Sequence, residues 1–300
     1  MSGHTGIRRI AAPTLVLVLG ATVTGVVAVP NPASAAVPGL VRISAVSASN
    51  SNDFRSVTAT CPAGKVLIGT GYEVDGATGE VVVDDFTPNG GAAIAPTAVT
   101  VGAYEADPFA GNWTVTAYAV CASPLAGLVR VSAAGTTDSN DFHGTTAACP
   151  TGKVMTGAGF EIAGATGEAV VDDFTPNGST VTAPTAVTVG AYEAETFTSN
   201  WSLTAYAICA NPVPGLVRFT AVSANNSTDS RFVTASCGSG QVLTGTGFEM
   251  TGGTGEVVVD DLRPNGSAAI APTSVTSGAY EEDVFAGNWN LRSYAICATR

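Results

Sequence analysis

Residues 60–71, TCPAGKVLIGTG, decide the fold, because they recur 88 residues later as ACPTGKVMTGAG (148–159) and again as SCGSGQVLTGTG (236–247). The same spacing separates three GLVR segments, which begin at Gly39 and at its two equivalents. Tandem self-similarity at one period is the first sign of how a chain is organised. The chain therefore contains three copies of one unit.

The period is longer than that of propeller blades or solenoid coils, which are single supersecondary pieces. A unit of this size can close a marginal core of its own when a covalent link helps. We therefore expect a leader at 1–36, followed by β repeat domains 1 to 3 at 37–124, 125–212 and 213–300, each complete in itself. Their arrangement as a rod or around a pseudo-threefold axis stays open.

Alternating apolar residues bounded by Gly, Pro and Asn predict six strands within the first copy. These strands are 39–47, 55–61, 65–75, 80–86, 97–105 and 112–121. No window has a helical period, and short strands with frequent turns are typical of an antiparallel sandwich or barrel. The expected fold class is all-β, with three tandem antiparallel β-sandwich-like domains that each hold one disulfide.

The six cysteines follow the leader, two in each copy. Side-chain alternation places both cysteines of a copy on the apolar faces of their strands. We therefore predict one disulfide within each copy: Cys61–Cys121, Cys149–Cys209 and Cys237–Cys297.

The first 36 residues have the pattern of an export signal. Arg8 and Arg9 precede the apolar stretch 10–29, and Ala33-Ser34-Ala35 matches a cleavage site. Together with the paired cysteines, this predicts a secreted, extracellular protein. An uncleaved membrane anchor is the alternative, and the export route stays open.

The balance of charge is strongly acidic. The chain has 24 acidic and 12 basic residues, and two of the basic ones lie in the leader. Such a surface repels phosphate backbones and anionic lipid. We expect neither a nucleic acid nor, once the leader is cleaved, a membrane as partner, and the oligomeric state stays open.

Residues that carry a reaction in this unit should recur in all three copies. The one histidine after the leader, His143, is matched by Arg55 and Arg231, so a histidine base is not retained. Gly69-Thr70-Gly71 lies in a strand with no following helix and indicates close strand packing rather than a phosphate loop. The sequence predicts no enzyme, and glycosidase chemistry by paired carboxylates is the remaining alternative.

Two tyrosine positions are unchanged in all copies, so their hydroxyl groups are expected to be used. They serve either a structural hydrogen bond or an aromatic platform for a ligand. The candidate ligand-binding residues are Tyr104, Tyr118, Tyr192, Tyr206, Tyr280 and Tyr294. Trp113 and its equivalents share a face with a cysteine and are expected in the core rather than in a sugar site.

Acidic residues also recur, and carboxylates are the ligands that calcium prefers. The candidate metal residues are Asp84, Asp85, Asp172, Asp173, Asp260 and Asp261. Neighbouring residues of a strand point to opposite faces, so a calcium site requires residues 84–90 to curl back. The alternative is turn capping and surface charge, and no other cofactor is expected.

The motif CPxGK, followed by GxG and by AYAxCA at the end of the copy, resembles secreted actinobacterial tandem-repeat proteins with no assigned activity. The third copy departs from it at Gly238 and Gln241. Two functions remain as expectations. The first is a non-enzymatic, multivalent binding or adhesion protein for a glycan or a protein. The second is a structural or protective exoprotein, including a secreted protease inhibitor.

Overall fold

The computed structural model describes residues 1–3 and 37–300, so the predicted leader falls largely outside the described residues. Residues 37–300 belong to one compact unit. The described residues contain strands and no helix, and none of them forms a helix long and apolar enough to cross a membrane.

Each repeat contributes six strands, and their ends fall within two residues of those predicted for the first copy. Repeat 1 contains β1 (Val41–Val46), β2 (Phe54–Thr60), β3 (Val66–Asp75), β4 (Val81–Pro88), β5 (Ala98–Glu105) and β6 (Thr114–Ala122). Repeat 2 contains β7 (Val129–Ala134), β8 (Phe142–Ala148), β9 (Val154–Ala163), β10 (Ala169–Pro176), β11 (Ala186–Glu193) and β12 (Ser202–Ala210). Repeat 3 contains β13 (Val217–Val222), β14 (Ser230–Ser236), β15 (Gln241–Thr251), β16 (Val257–Pro264), β17 (Ser274–Glu281) and β18 (Asn290–Thr299).

Within one repeat, two three-stranded antiparallel sheets pack face to face. In repeat 1 these are β1–β6–β3 and β2–β5–β4, and β2 and β5 pack against β6. The Cys61–Cys121 disulfide joins the two layers, with an S–S distance of 2.01 Å. Equivalent bonds join Cys149 to Cys209 and Cys237 to Cys297. The all-β class, the antiparallel sandwich-like layers and the three disulfides within copies are thus confirmed.

The expectation that each copy is complete in itself is wrong, because each half-sheet continues into another repeat. The three six-stranded sheets have the orders β1-β6-β3-β16-β17-β14, β2-β5-β4-β9-β12-β7 and β13-β18-β15-β10-β11-β8. The strands β3 and β4 would otherwise be unpaired edges. Pairing across the repeats satisfies them and closes the three copies into a ring around a pseudo-threefold axis.

Large aromatic side chains at the repeat boundaries form one shared core. Phe86 lies opposite Phe160 in the β4–β9 ladder, with ring centroids 5.5 Å apart. Phe86 also contacts Phe174 and Tyr72, at 5.8 and 5.0 Å. All four rings are buried, so the apolar core continues from one repeat into the next.

The backbones of the three repeats meet closely at the glycine predicted to mark close strand packing. A Cβ atom on Gly69 would lie 1.7 Å from the carbonyl oxygen of Thr244, and one on Gly157 would lie 2.5 Å from that of Ile68. The side chain of Thr70 donates a hydrogen bond to the carbonyl of Ala158 at 2.6 Å. The packing partner of this glycine is a neighbouring repeat.

Candidate binding surface

Repeats 1 and 2 each carry an exposed phenylalanine stacked on a tyrosine. Phe54 on β2 lies opposite Tyr104 on β5, and their ring centroids are 4.3 Å apart. In repeat 2, Phe142 and Tyr192 lie opposite each other with centroids 4.6 Å apart. The two phenylalanines are 41 % and 46 % exposed, so these rings are available to solvent.

Repeat 3 keeps the same pair with a phenylalanine from a different position. Ser230 occupies the place of Phe54, opposite Tyr280, while Phe232 lies two residues further along β14. Residues two apart on a strand share a face, and the ring of Phe232 lies 5.6 Å from that of Tyr280. Phe232 is 51 % exposed. We call Phe54–Tyr104, Phe142–Tyr192 and Phe232–Tyr280 the aromatic pairs.

An aspartate of the neighbouring strand lies beside each tyrosine of the aromatic pairs. The carboxyl group of Asp85 lies over Gly102 of the central strand, where it would contact a Cβ atom. The other two repeats have the same contact, between Asp173 and Gly190 and between Asp261 and Gly278. Partial burial and the nearby Glu161 raise the pKa of Asp85. Each aromatic pair is therefore accompanied by a hydrogen-bonding group at its side.

The preceding aspartates face the interior. Asp84 is buried, and its Oδ2 accepts a hydrogen bond from the backbone N–H of Gly167 in the next repeat, at 3.1 Å. Burial raises its pKa well above the usual range. Asp172 and Asp260 are equally buried. The six candidate metal residues therefore do not converge in pairs, and the described residues contain no group of three His, Cys, Asp or Glu side chains placed to hold a metal ion.

The other three candidate tyrosines are buried. The hydroxyl of Tyr118 donates a hydrogen bond to Glu73, and the guanidinium of Arg42 lies 4.6 Å from its ring centroid. Tyr206 and Tyr294 are 7 % and 2 % exposed and have the same partners, a glutamate and a stacked arginine. Their geometry is that of the structural hydrogen bond. Of the six candidate tyrosines, Tyr104, Tyr192 and Tyr280 are the ones that stay partly exposed.

The tryptophans lie in the core, as expected. Trp113 is 1 % exposed, and its Nε1 donates to Glu105 at 2.9 Å. Arg55 stacks over its ring at 4.4 Å. His143 takes that place in repeat 2, with its ring 4.0 Å from the ring of Trp201. The geometry gives this histidine a packing contact.

Carboxylates of all three repeats surround the pseudo-threefold axis at one end of the ring. They line a cavity of about 320 Å³, which includes Asp107, Glu168, Glu195, Glu256, Glu282 and Asp283. Partial burial among the other carboxylates raises the pKa of Glu282 to about 7. This end of the ring is strongly acidic.

No known family model matches the chain, and no curated protein matches it.

Sequence reasoning missed the phenylalanines of the aromatic pairs. Phe54, Phe142 and Phe232 do not occupy equivalent positions, so a comparison of the copies column by column does not align the third with the others. The signal that finds them is strand parity. A phenylalanine one or three residues after the recurring aspartate at 53, 141 and 229 lies on the same face in every copy.

Proposed function

We propose that this chain is a secreted, non-catalytic binding protein that holds extracellular glycans on its three aromatic pairs. The observation that carries the proposal is the phenylalanine of repeat 3. Its position in the sequence differs from that in repeats 1 and 2, yet its ring contacts the equivalent tyrosine, edge to face, and stays exposed. A ring needed only to cover the sheet has no reason to remain half exposed in three copies.

The chemistry of the aromatic pairs suits a ligand with both apolar and hydroxyl-bearing faces. Flat aromatic rings provide large contact area at low cost in side-chain entropy. Beside that area, the tyrosine hydroxyl supplies a hydrogen-bond donor or acceptor, and the carboxylate of the neighbouring aspartate supplies an acceptor. A sugar ring presents C–H groups on one face and hydroxyl groups at its edge, which matches this arrangement.

The closed ring changes how multivalency acts. The three aromatic pairs belong to one compact unit and do not move as separate beads on flexible linkers. Sites held at fixed spacing need no linker ordering when the second and third bind. We infer that the protein favours repetitive ligands, such as a polysaccharide with regularly spaced epitopes.

The compartment is consistent with this proposal. The three disulfides indicate an oxidising environment. Secretion through the predicted leader, and the absence of a membrane anchor after its cleavage, belong to the proposal. A test is the N-terminal sequence of the protein recovered from culture medium, which we expect to start at residue 36 or 37.

A structural or protective exoprotein is the second candidate, and the shared sheets favour it. Three disulfides and a core continuous across the repeats make a body suited to persist outside the cell. In that case the aromatic pairs have no ligand and their removal changes no binding.

Glycan arrays and cell-wall pull-downs distinguish the two candidates. The test variant is the triple substitution Phe54→Ser, Phe142→Ser and Phe232→Ser. The matched control is Ile94→Ser, Val181→Ser and Ile270→Ser, because these exposed apolar residues are 63 % to 85 % exposed. They lie near the far ends of the strands that carry the tyrosines, about 20 Å away at 3.3 Å per residue.

We expect the parent and the control to bind a glycan and the test variant to lose at least about tenfold in apparent affinity. Binding that survives in the test variant as in the control contradicts the proposal. If the glycan arrays are blank but the pull-down recovers a secreted protein, the aromatic pairs are assigned to a protein ligand. If the arrays and the pull-downs are both blank, the structural alternative is favoured.

A further inference from the structure

The boundaries between repeats each bring two carboxyl groups together. Asp85 lies opposite Glu161 in the β4–β9 ladder, and the other boundaries repeat this with Asp173 and Glu249 and with Asp261 and Glu73. Side chains directly opposite each other in an antiparallel ladder have Cβ atoms roughly 5 Å apart, and like charges there are destabilising. A compensating group is therefore expected at each boundary.

Two boundaries contain a guanidinium group that compensates the carboxylates. Between repeats 3 and 1, Nη1 of Arg263 donates to Glu73 at 2.8 Å, and its Nε lies 3.4 Å from Asp261. Between repeats 2 and 3, Nη1 of Arg292 donates to Glu249 at 2.8 Å.

These two arginines come from different places. Arg263 lies two residues after Asp261 on the same strand, whereas Arg292 lies opposite Glu249 on the neighbouring strand. Two independent positions of the repeat therefore each deliver a guanidinium group to the glutamate of a boundary.

The boundary between repeats 1 and 2 has neither arginine. Thr87 stands where repeat 3 has Arg263, and Thr204 stands where repeat 3 has Arg292. Arg130 is close by, but it stacks on Tyr206 and its Nη1 donates to the carbonyl of Pro88. All three boundaries have an arginine in that role, so Arg130 does not replace the missing group.

A buried polar atom at this boundary is also without a partner. The hydroxyl of Thr87 is buried and has no hydrogen-bond partner among the described residues. Its equivalent Thr175 donates to the carbonyl of Phe248 at 3.4 Å. Buried polar groups are normally paired, and this one lies on the strand that carries Asp85, two residues away.

We propose that the boundary between repeats 1 and 2 binds a guanidinium group supplied from outside the chain, held by Asp85 and Glu161 with Thr87 at its side. The planar guanidinium fork has five N–H donors and no acceptor, which matches two carboxylates and a free hydroxyl oxygen. Asp85, Thr87 and Glu161 are each only partly buried as residues, so solvent reaches the two carboxyl groups, while the hydroxyl oxygen of Thr87 lies beneath the surface. The site shares Asp85 with the surface beside Phe54–Tyr104 but contains neither ring of an aromatic pair. Its variants at Thr87 and Glu161 leave the three phenylalanines in place, so failure of this proposal and failure of the glycan proposal are read from different variants.

Nuclear magnetic resonance titration of the isotope-labelled protein tests this proposal. The probes are methylguanidinium, a blocked Gly-Arg-Gly peptide, methylammonium and calcium. We expect saturable shifts of the backbone amides of Asp85, Thr87 and Glu161 with methylguanidinium. Tighter binding of the peptide assigns the group to an arginine side chain, and equal or weaker binding assigns it to a small guanidino compound.

Two variants and one control locate the site. Thr87→Arg builds the guanidinium into the chain as Arg263 does naturally, and Glu161→Gln removes a carboxylate. Both are expected to weaken methylguanidinium binding by at least about tenfold, since a hydrogen bond to a charged group is lost. Thr175→Arg, at the boundary that already holds Arg292, is expected to leave it unchanged.

The absence of saturable shifts overturns the proposal, as does binding that Thr87→Arg leaves intact. Equal responses to methylammonium or to calcium also overturn it, because the site then recognises positive charge or a metal rather than the guanidinium fork.

Discussion

The substitution Gly69→Ala tests whether the three repeats share one core. A Cβ atom at this position would lie 1.7 Å from the carbonyl oxygen of Thr244, and ordinary contact begins near 3.4 Å. Strand β3 must therefore move away from repeat 3. The backbone of Gly69 is outside the left-handed region, so the cost arises from the contact between repeats rather than from local strain.

The magnitude follows from what that movement disturbs. Overpacking a well-packed core costs about 1 to 3 kcal/mol. Two buried hydrogen bonds lie within one residue of Gly69, from Thr70 to Ala158 at 2.6 Å and from Thr246 to Thr70 at 2.8 Å. Each contributes about 1 kcal/mol. We expect the free energy of unfolding to fall by about 3 to 5 kcal/mol, and the Tm to fall by roughly 6 to 20 °C for a body of this size.

The assay is thermal and denaturant unfolding followed by circular dichroism, with Gly91→Ala as the control. Gly91 is partly buried, but no atom lies within 4 Å of its Cβ position, and a substitution without such contacts changes stability by about 0.5 kcal/mol or less. If Gly69→Ala unfolds like Gly91→Ala, repeats 1 and 3 do not meet at this point and the closed ring is refuted.

Three further predictions concern the same body. The double substitution Cys61→Ala and Cys121→Ala opens a loop of 60 residues and should lower the free energy of unfolding by about 4 kcal/mol in denaturant titrations; an effect below about 1 kcal/mol contradicts the layer-joining role. The buried aspartates Asp84, Asp172 and Asp260 have raised pKa values in the folded state, so the native state holds protons that the unfolded chain releases above about pH 4. Stability should therefore fall as pH rises from about 4, and the triple change to Asn should flatten that slope; an unchanged slope means that other groups titrate. Residues 37–124, expressed alone and oxidised, should show no cooperative melting transition, because β3 and β4 lose the partners that other repeats supply; a sharp transition would show that one repeat is sufficient.

The layers within a repeat were predictable from the sequence because their signals are local. The alternation of apolar residues around Cys61 and Cys121 gives side-chain parity, and the repeat reduces the disulfide pairings to one per copy. Period-2 patterning and turn residues place the six strands to within two residues. These signals depend on neighbours along the chain.

The partners across the repeats were not predictable in the same way. The apolar pattern around Phe86 would be the same whether the partner of Phe86 lay in its own repeat or in another. The partner is Phe160, in the next repeat. Gly69 indicates that another backbone lies close to β3, but the sequence does not identify that backbone. A period of 88 residues also satisfies the size requirement of an independent domain, which favoured the wrong alternative. The pairing of β3 and β4 with strands of the other repeats decides between independent domains and a shared body.

Part of the candidate surface was accessible to sequence reasoning. The invariance of Tyr104 and its equivalents indicated a used side chain, but Tyr118 shows the same invariance because it is buried under Arg42. Invariance alone does not separate a buried hydroxyl from an exposed one. Asp84 and Asp85 were separable by strand parity, and the register shift between Val83 and Asp85 in the β4–β5 ladder marks the place where Asp84 enters the boundary between repeats.

The ladder that closes the ring is short, since only Asp261 with Glu73 and Leu262 with Tyr72 are in register between β16 and β3. Parting those two strands would leave complementary edges at opposite ends of a row of three repeats. Such edges pair readily with another chain. Two opened molecules can then join into a six-repeat circle, or many into a filament, without any new contact surface. The aromatic core behind this seam, where Tyr72 contacts Phe86, opposes that opening.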